Sequence, residues 1–558
     1  MMLKLIFIVL LISIVSVQSL TETISDCQLL IVGGTTSAFG AILSATKFLG
    51  RNVCLLEPTD WAGGQLTAEL LSAPDFGGRV LRDGNFTLDV GYIDRQPENR
   101  NPLFSEMLDQ LGDTGHCTVS PWCSLTEKFH DEVVAPRLKN ARIFYNTVVK
   151  RVRKDSTARR ITEIDTIQRT PRSEQPSCRF LSDELPDWYS PNDSSWFTKS
   201  QLTFTNFSFI MEGSSWGEVL ALANVSYLQG LMEQYDGDIS GKGNATCGQA
   251  ITYTYLEQLM AEPTEEPPNP LPKPVAGGNY SLANTSWENI WVFRRVYTPT
   301  NSSKSIAVDD ITIQNWSLGD DYEGMFFFLS PEETQRQRDT DQWQGGVNIE
   351  TIRNSERHSY GCHYWYRDQA PAQWANRTVF ARASSTGTCH HLAKLPYMRE
   401  SRRSIGYQNF IMNLTMITGS ARNLHGYIFD DRLCIGTYPV DIHYMYTCEY
   451  LSYQNMDYPV LPYYIPLRAM THRDIDNLIP IGKTMAQSFL VNAAVRLHPV
   501  EFSIGQAAGV VGAYAVHHTE IKNVSEMLDE LHLRRIQSIV KQFTPMSWTI
   551  NGKRYPDD

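Results

Sequence analysis

The sequence predicts an α/β fold, a reading that rests on three observations. Residues 28–32 form a short apolar run that stops at Gly33-Gly34, and small residues (Ala38, Gly40, Ala41, Ala45) then recur at helical spacing. Residues 53–56 form a second apolar run ending in Glu57. Far downstream, residues 478–481 repeat the strand-then-glycine pattern at Gly482, and a small-residue helix is expected over 503–517. Short apolar runs alternating with helical segments, the first and last ending in a glycine turn, describe βαβ units around a parallel sheet.

Each part of the first unit has a chemical consequence. A glycine turn feeding a helix N-terminus offers backbone N–H groups and the positive end of the helix dipole to a pyrophosphate. An acid at the tip of the next strand accepts ribose hydroxyls, and Glu57 stands near the offset of about 20 residues expected for it. Aligned to G-x-G-x-x-G, the positions are Gly33, Thr35 and Ala38, so one glycine of the three is kept; a plain α/β core unit is the alternative reading. The following Asp60-Trp61-Ala62-Gly63-Gly64-Gln65 brings a second glycine pair to the same point. That feature belongs to FAD sites more than NAD sites, and FAD is the cofactor expected.

Along the rest of the chain, 100–140 reads as loop and helix, while 141–155 and 160–167 read as hairpin strands. A strand-like block at 201–211 leads through Glu212-Gly213-Ser214-Ser215-Trp216-Gly217-Glu218 into an apolar helix at 219–223. The proline-rich 263–273 segment is expected to be a surface loop. Residues 280–460 are rich in Trp, Tyr, Arg and His without a clean period, which suits a substrate region and cavity lining, or else an aromatic core. In the late helix, Gly505, Gln506, Ala507 and Ala508 leave room for backbone N–H groups to reach a ligand; close helix packing is the alternative. The fold class expected is a three-layer Rossmann-type FAD-binding domain with an inserted mixed α+β substrate region. Its parts are a leader at 1–19, cofactor-domain segments at 26–167, 200–225 and 465–520, a substrate region at 226–464, and a C-terminal helix and tail at 521–558.

With 558 residues the chain has material for two or three domains. Against 61 acidic residues there are 49 Lys and Arg, a net charge of −12 without long basic runs, which excludes nucleic acid as a partner. Residues 1–19 carry Lys4, an apolar core and small residues before a cleavage point, the pattern of a secretory signal peptide. No later segment is apolar enough to span a membrane. Sequons at Asn85, Asn192, Asn206, Asn224, Asn244, Asn279, Asn284, Asn301, Asn315, Asn376, Asn413 and Asn523 extend the expectation to a secreted or lumenal glycoprotein. Of the ten cysteines, Cys117 with Cys123 and Cys362 with Cys389 are the favoured disulfides, while Cys27 and Cys54 are expected as buried free thiols. No C-x-x-C occurs, and no metal site is expected.

The segments "LLIVGGTTSA", "LLEPTDWAGGQLT", "FIMEGSSWGEVLALA", "NWSLGDDY", "LPYMRESRRSIG", "CIGTYPVDIH" and the 465–518 stretch ending in "GQAAG" occur in an order that resembles the FAD-dependent oxidoreductase family of glutathione-reductase-like flavoproteins, distantly related to fumarate-reductase-type flavoproteins. The resemblance implies that Gly33, Gly34 and Ala38 approach the pyrophosphate, with Thr35 in the same turn, and that Glu57 holds the adenosine ribose. It further implies Gly63, Gly64 and Gln65 on the flavin side, Val148 at the adenine, and Gly482, Gln506, Ala507 and Ala508 along the ribityl chain and ring. Glu212-Gly213 stands where Asp-Ala is usual, and Lys483 where Arg is common.

Flavin carries the electrons, so the protein must place a substrate carbon against N5 and manage charge and protons nearby. Arg399, Arg402 and Arg403 put three guanidinium groups into five residues, a cluster suited to a carboxylate or an enolate-like oxyanion. In Tyr438-Pro-Val-Asp441-Ile-His443, strand alternation sets Asp441 and His443 on one face, the acid orienting the imidazole for proton transfer. Arg496 and His498 are expected near the flavin by sequence adjacency, with a packed, hydrogen-bonded His498 as the equal alternative. The expected activity is hydride transfer between a small-molecule substrate and flavin N5, with O2 as acceptor; the alternatives are a fumarate-reductase-like reduction and a non-catalytic secreted glycoprotein that retains the fold.

Overall fold

The computed structural model describes residues 21–77, 80–83, 86–89, 92–175, 178–233, 243–265, 279–418, 423–450 and 460–556; the expected leader, Asn85 and most of the 263–273 segment lie outside them. In chain order the elements that build the site are β1 (Thr21–Ile24), β2 (Leu29–Val32), α1 (Thr36–Leu49), β3 (Val53–Leu56), β4 (Arg142–Phe144), β5 (Thr147–Lys154) and β6 (Ile161–Pro171). These are followed by β7 (Phe197–Thr205), β8 (Phe209–Glu212), α2 (Glu218–Leu222), β9 (Tyr255–Leu259), β10 (Arg295–Tyr297) and β11 (Ile311–Gln314). Helix α3 (Ile349–Asp368), β12 (Thr378–Phe380), β13 (Leu478–Pro480) and α4 (His498–His517) complete the set.

Five strands form an all-parallel sheet in the order β13-β8-β2-β3-β4. Strand alternation divides its side chains between two cores. Leu29, Ile31, Val53, Leu55 and Met211 face α1 and α4, whereas Leu30, Val32, Cys54, Leu56 and Ile210 face a mixed sheet of order β1-β7-β6-β5. The chain therefore has a three-layer α/β fold: a helix pair, a parallel sheet buried on both faces, and a mixed sheet. A separate antiparallel sheet, β10-β11-β9-β12, lies in the region expected to hold the substrate.

The helix layer is held by absent side chains. At Gly40 a Cβ would lie 2.5 Å from Phe502 O, and at Gly505 it would lie 1.9 Å from Ser37 O, so α1 and α4 cross in backbone contact. Helix α4 begins at His498, earlier than the sequence pattern suggests, because Pro499 fits the first turn, where its missing N–H costs nothing. The 201–211 block is two strands in two sheets, β7 in the mixed sheet and β8 in the parallel one, broken at Asn206, which takes a φ of 59°.

The cysteine expectations need two corrections. Cys27 and Cys54 form a disulfide with Cα atoms 5.6 Å apart: β2 and β3 are adjacent, Leu30 pairs with Cys54, and both cysteines sit in the core under the mixed sheet. Cys389 pairs with Cys178 rather than Cys362, which lies buried and free within α3; Cys434 is the other free thiol. Cys117–Cys123 is bonded, and Cys247–Cys448 adds a fourth bridge.

Candidate active site

The carboxyl ends of β2, β3 and β8 meet at a narrow crevice. Gly33, Gly34 and Thr35 line it from the β2–α1 turn, Glu57 and Pro58 from the tip of β3, and Gly64, Ala68 and Glu69 from the loop beyond. Ser214, Ser215, Trp216 and Glu218 close it from the β8–α2 turn, with Leu395 alongside. Gly33 has a φ of 92°, and a Cβ on it would lie 2.3 Å from Ser214 Cα; one on Gly34 would lie 1.2 Å from Glu57 Oε2. Thr35 occupies the second fingerprint position by bonding: its hydroxyl donates to Gly213 O at 2.6 Å and accepts from Ala38 N at 3.3 Å, capping α1.

Glu57 is buried, and its Oε1 accepts from Thr59 N at 2.8 Å and Thr59 Oγ1 at 2.7 Å. Its Oε2 has no partner, nor has Oε2 of Glu69 in the same lining. Burial pushes the Glu57 carboxyl up to about 8. A glycine floor, a helix N-terminus and unmatched buried acceptors suit a pyrophosphate and ribose hydroxyls, so the residues present fit FAD.

The other expected cofactor residues lie outside this lining. Gly63 donates to Gly34 O at 3.0 Å and accepts from Thr36 Oγ1 at 3.0 Å, pinning the second glycine pair against α1. Gln65 turns toward the α4 side, its Nε2 donating to Arg496 O at 2.7 Å and Glu501 Oε2 at 2.9 Å. Ala38, Ala507 and Ala508 are buried in the helix core, and Val148 in the core under the mixed sheet. Gly482 has a φ of 60° and abuts Ser37, while Gln506 Oε1 accepts from Asn101 Nδ2 at 2.8 Å.

Leu395 borders the crevice, while Tyr397 and Arg399 on the same segment line a cavity of about 590 Å3. Tyr438, Asp441, His443 and Arg496 also line it, with Arg294, Asp75, Phe76, Tyr92 and Trp316. Five of the eight residues expected at the chemistry are thus brought together. Their charges form one continuous array. Arg399 Nη2 donates to Asp321 Oδ1 at 2.7 Å, and Asp321 Oδ2 lies 2.5 Å from His443 Nδ1. His443 Nε2 lies 3.3 Å from Asp441 Oδ2, which also accepts from Tyr438 OH and Arg496 Nη2, each at 3.0 Å. Arg496 Nη1 then donates to Tyr397 OH.

This array shifts the pKa values of its members. Burial and the Arg399 charge push the His443 pKa down, but Asp321 and Asp441 outweigh them and raise it. Burial raises Asp321, yet Arg399 and His443 hold it at about 2. Asp441 is held well below the usual carboxylate range, burial being outweighed by His443 and Arg496. The imidazole, expected as a proton-transfer group oriented by Asp441, is held between two carboxylates, Asp321 and Asp441, that favour its protonated form. Meanwhile Nε of Arg294, Arg399 and Arg496 is buried without an acceptor.

Arg402, Arg403 and His498 are outside the cavity lining. Arg402 is buried and donates to the carbonyls of Trp216 at 2.8 Å and Gly346 at 2.6 Å, bracing the β8–α2 turn. Arg403 pairs with Glu233 at 3.0 Å, and His498 Nε2 bonds Leu71 O at 2.9 Å. Asp321, Tyr397 and Arg294 are site residues that the sequence reading did not single out. Asp321 does lie in the "NWSLGDDY" segment, but its partners are distant in the chain.

The model of the FAD dependent oxidoreductase family matches residues 28–180 and 197–538. No curated protein matches the chain. Among solved structures, the L-proline dehydrogenase from P. horikoshii is similar over 38% of this chain at 12% identity and a TM-score of 0.16, and the match spans only 24% of that enzyme's length. The myxobacterial chondrochloren halogenase CndH is similar over 93% of this chain and 79% of its own, at 10% identity and a TM-score of 0.31. A point mutant of the E. coli quinol fumarate reductase FrdA is similar over 93% of this chain and 74% of its own, at 9% identity and a TM-score of 0.27.

Proposed function

Because the chain belongs to the FAD dependent oxidoreductase family, we propose that it oxidises a small organic acid by hydride transfer to flavin N5, with O2 as the final acceptor. FAD is the cofactor and the chain is an oxidoreductase; substrate, direction and acceptor are the proposal. When bound, FAD supplies a two-electron acceptor. Gly33, Gly34, Glu57 and Gly64 would hold it, with Ser214 and Ser215 across the crevice.

The observation that carries the substrate class is the set of three guanidinium groups, on Arg294, Arg399 and Arg496, that wall one cavity, each with an unmatched Nε–H. Each is anchored through its terminal nitrogens: Arg294 to Asp75 at 2.8 Å, Arg399 to Asp321 and Arg496 to Asp441. The three guanidinium groups are therefore held in place around the cavity, a concentration of positive charge suited to a carboxylate or a developing oxyanion. Phe76, Tyr92 and Trp316 offer an apolar wall to the rest of the substrate. His443, whose protonated form Asp321 and Asp441 favour, adds a group able to hold a proton beside the cavity.

Support for O2 and for a secretory location comes from the chain itself. It has no second glycine fingerprint for a nicotinamide donor. Four disulfides suit an oxidising compartment. Asn192, Asn206, Asn224, Asn244, Asn279, Asn284, Asn301 and Asn376 are exposed, and Asn315, Asn413 and Asn523 half-buried, so every described sequon is open to a glycan at least in part. Among the described residues no helix is long and apolar enough to cross a membrane. The test is an anaerobic screen of small organic acids for loss of flavin absorbance. Bleaching by carboxylates and not by their amides or esters is expected; bleaching indifferent to the carboxylate would overturn the substrate class.

A further inference from the structure

The lining of the guanidinium-walled cavity divides by exposure into a floor and a rim. Tyr397, Arg399 and Arg496 are buried at the floor, whereas Tyr92 and Ser317 are exposed and Asn315 and Trp316 half-buried at the rim. Asn315-Trp316-Ser317 follows directly on β11, so a glycosylation sequon supplies three consecutive residues of the cavity mouth. Among the described sequons it alone contributes to this lining.

Trp316 is pinned in place: its backbone N–H donates to Asp320 Oδ1 at 2.8 Å and its Nε1–H to Ser281 O at 3.1 Å. The Asn315 amide is uncommitted, since among the described residues no group hydrogen-bonds its side chain. A sugar on Nδ2 therefore breaks no bond of the fold. Tyr92, 43% exposed on the same rim, and Trp316 give an apolar edge to a polar cavity, a surface that the C–H face of a sugar ring covers.

We propose that Asn315 carries an N-linked glycan that forms part of the cavity mouth and excludes bulky acids, so that a modification sets the substrate size. This rests on the acid-binding cavity and the secretory location proposed above. The attachment forms a bond between Asn315 Nδ2 and the anomeric carbon of an oligosaccharide donated from a lipid pyrophosphate. The bond from that carbon to the pyrophosphate breaks, the lipid pyrophosphate leaves, and one amide proton passes to a base of the transferase. A bulky, hydrated chain rooted at the rim narrows the entrance and leaves the buried floor unchanged.

The experiment takes the full chain from a eukaryotic secretory host, maps its glycopeptides by mass spectrometry, and titrates it with benzoate and with biphenyl-4-carboxylate, following tryptophan fluorescence. Asn315 is expected to be occupied, and the wild type to favour benzoate. Asn315→Gln and Ser317→Ala remove the sequon at different residues, and each should raise affinity for the biphenyl acid relative to benzoate by about tenfold. Ser317→Thr keeps the sequon and should keep the wild-type ratio, as should Asn376→Gln, which removes a sequon outside the cavity lining. Thermal unfolding reports whether the variants fold, and the glycopeptide map of the wild type stands whether or not they do. An unmodified Asn315 in a chain glycosylated at its exposed sequons, or an unchanged ratio in both sequon-removing variants, would overturn the proposal. A chain glycosylated nowhere would instead remove the secretory location, and a glycosylated chain that binds neither acid would remove the acid-binding cavity, the proposal falling with either.

Discussion

His443 Nδ1 lies 2.5 Å from Asp321 Oδ2, a carboxylate that also takes a bond from Arg399. With Asp441 on its other side, the imidazolium is the favoured form, and its folded-state pKa lies above the unfolded value of about 6.5. The stability it contributes is complete below about pH 6.5 and is lost as pH rises through the folded-state value. Asp441→Asn removes one of the two carboxylates and should lower that value by about one unit. An NMR titration of the His443 ring reads this directly, and an unchanged titration would remove the clamp from the account.

Arg399 and Arg402 are three residues apart and have different tasks. Arg399→Lys should slow flavin reduction by an active organic acid by about 100-fold or more, because an anchored guanidinium of the cavity wall is lost, with the flavin spectrum intact. Arg402→Lys should leave that rate within a few fold and instead lower the unfolding midpoint, since Arg402 braces backbone carbonyls outside the cavity. Stopped-flow absorbance and thermal scans on both variants separate the two; equal rate losses would mean the cavity assignment is wrong.

Glu57 should control FAD retention. Glu57→Gln keeps the carbonyl acceptor and exchanges the carboxyl for an amide, so the FAD dissociation constant is expected to rise about tenfold. Gly34→Ala places a Cβ 1.2 Å from Glu57 Oε2 and should prevent retention altogether. Purification with full flavin content in either variant would place the cofactor elsewhere.

Peptide mapping without reduction should recover Cys27–Cys54, Cys117–Cys123, Cys178–Cys389 and Cys247–Cys448. Cys362 and Cys434 should alkylate only after unfolding, because both are buried. Removing the Cys27–Cys54 bridge, which ties two adjacent central strands, should cost about 2–4 kcal/mol in denaturant unfolding. A Cys362–Cys389 peptide would restore the pairing expected from sequence.

Patterns local to the chain were legible in the sequence. The glycine turn, the small-residue helices and the Asp441/His443 pair are written within a few residues of one another, and periodicity or alternation exposes them. Relationships across the chain were not. Asp321 reaches His443 across 122 positions, and no motif announces it. The "RESRR" cluster reads as one feature, but the fold places Arg399 at the cavity, Arg402 at the β8–α2 turn and Arg403 against Glu233. Composition also left a choice open at "GQAAG": the small residues leave room for either a ligand or a helix, and at Gly505 the space is taken by Ser37 O of α1. Cys27 and Cys54 were read as thiols because each lies at a buried strand; only the pairing of β2 with β3 brings them together.

The most direct test of the proposed oxidase is anaerobic photoreduction of the purified protein, followed by admission of air while flavin absorbance and peroxide are recorded. Rapid return of the oxidised spectrum, with one peroxide formed per flavin, is the predicted result. Reduced flavin that persists in air would contradict O2 as the acceptor and favour a partner-dependent reductase.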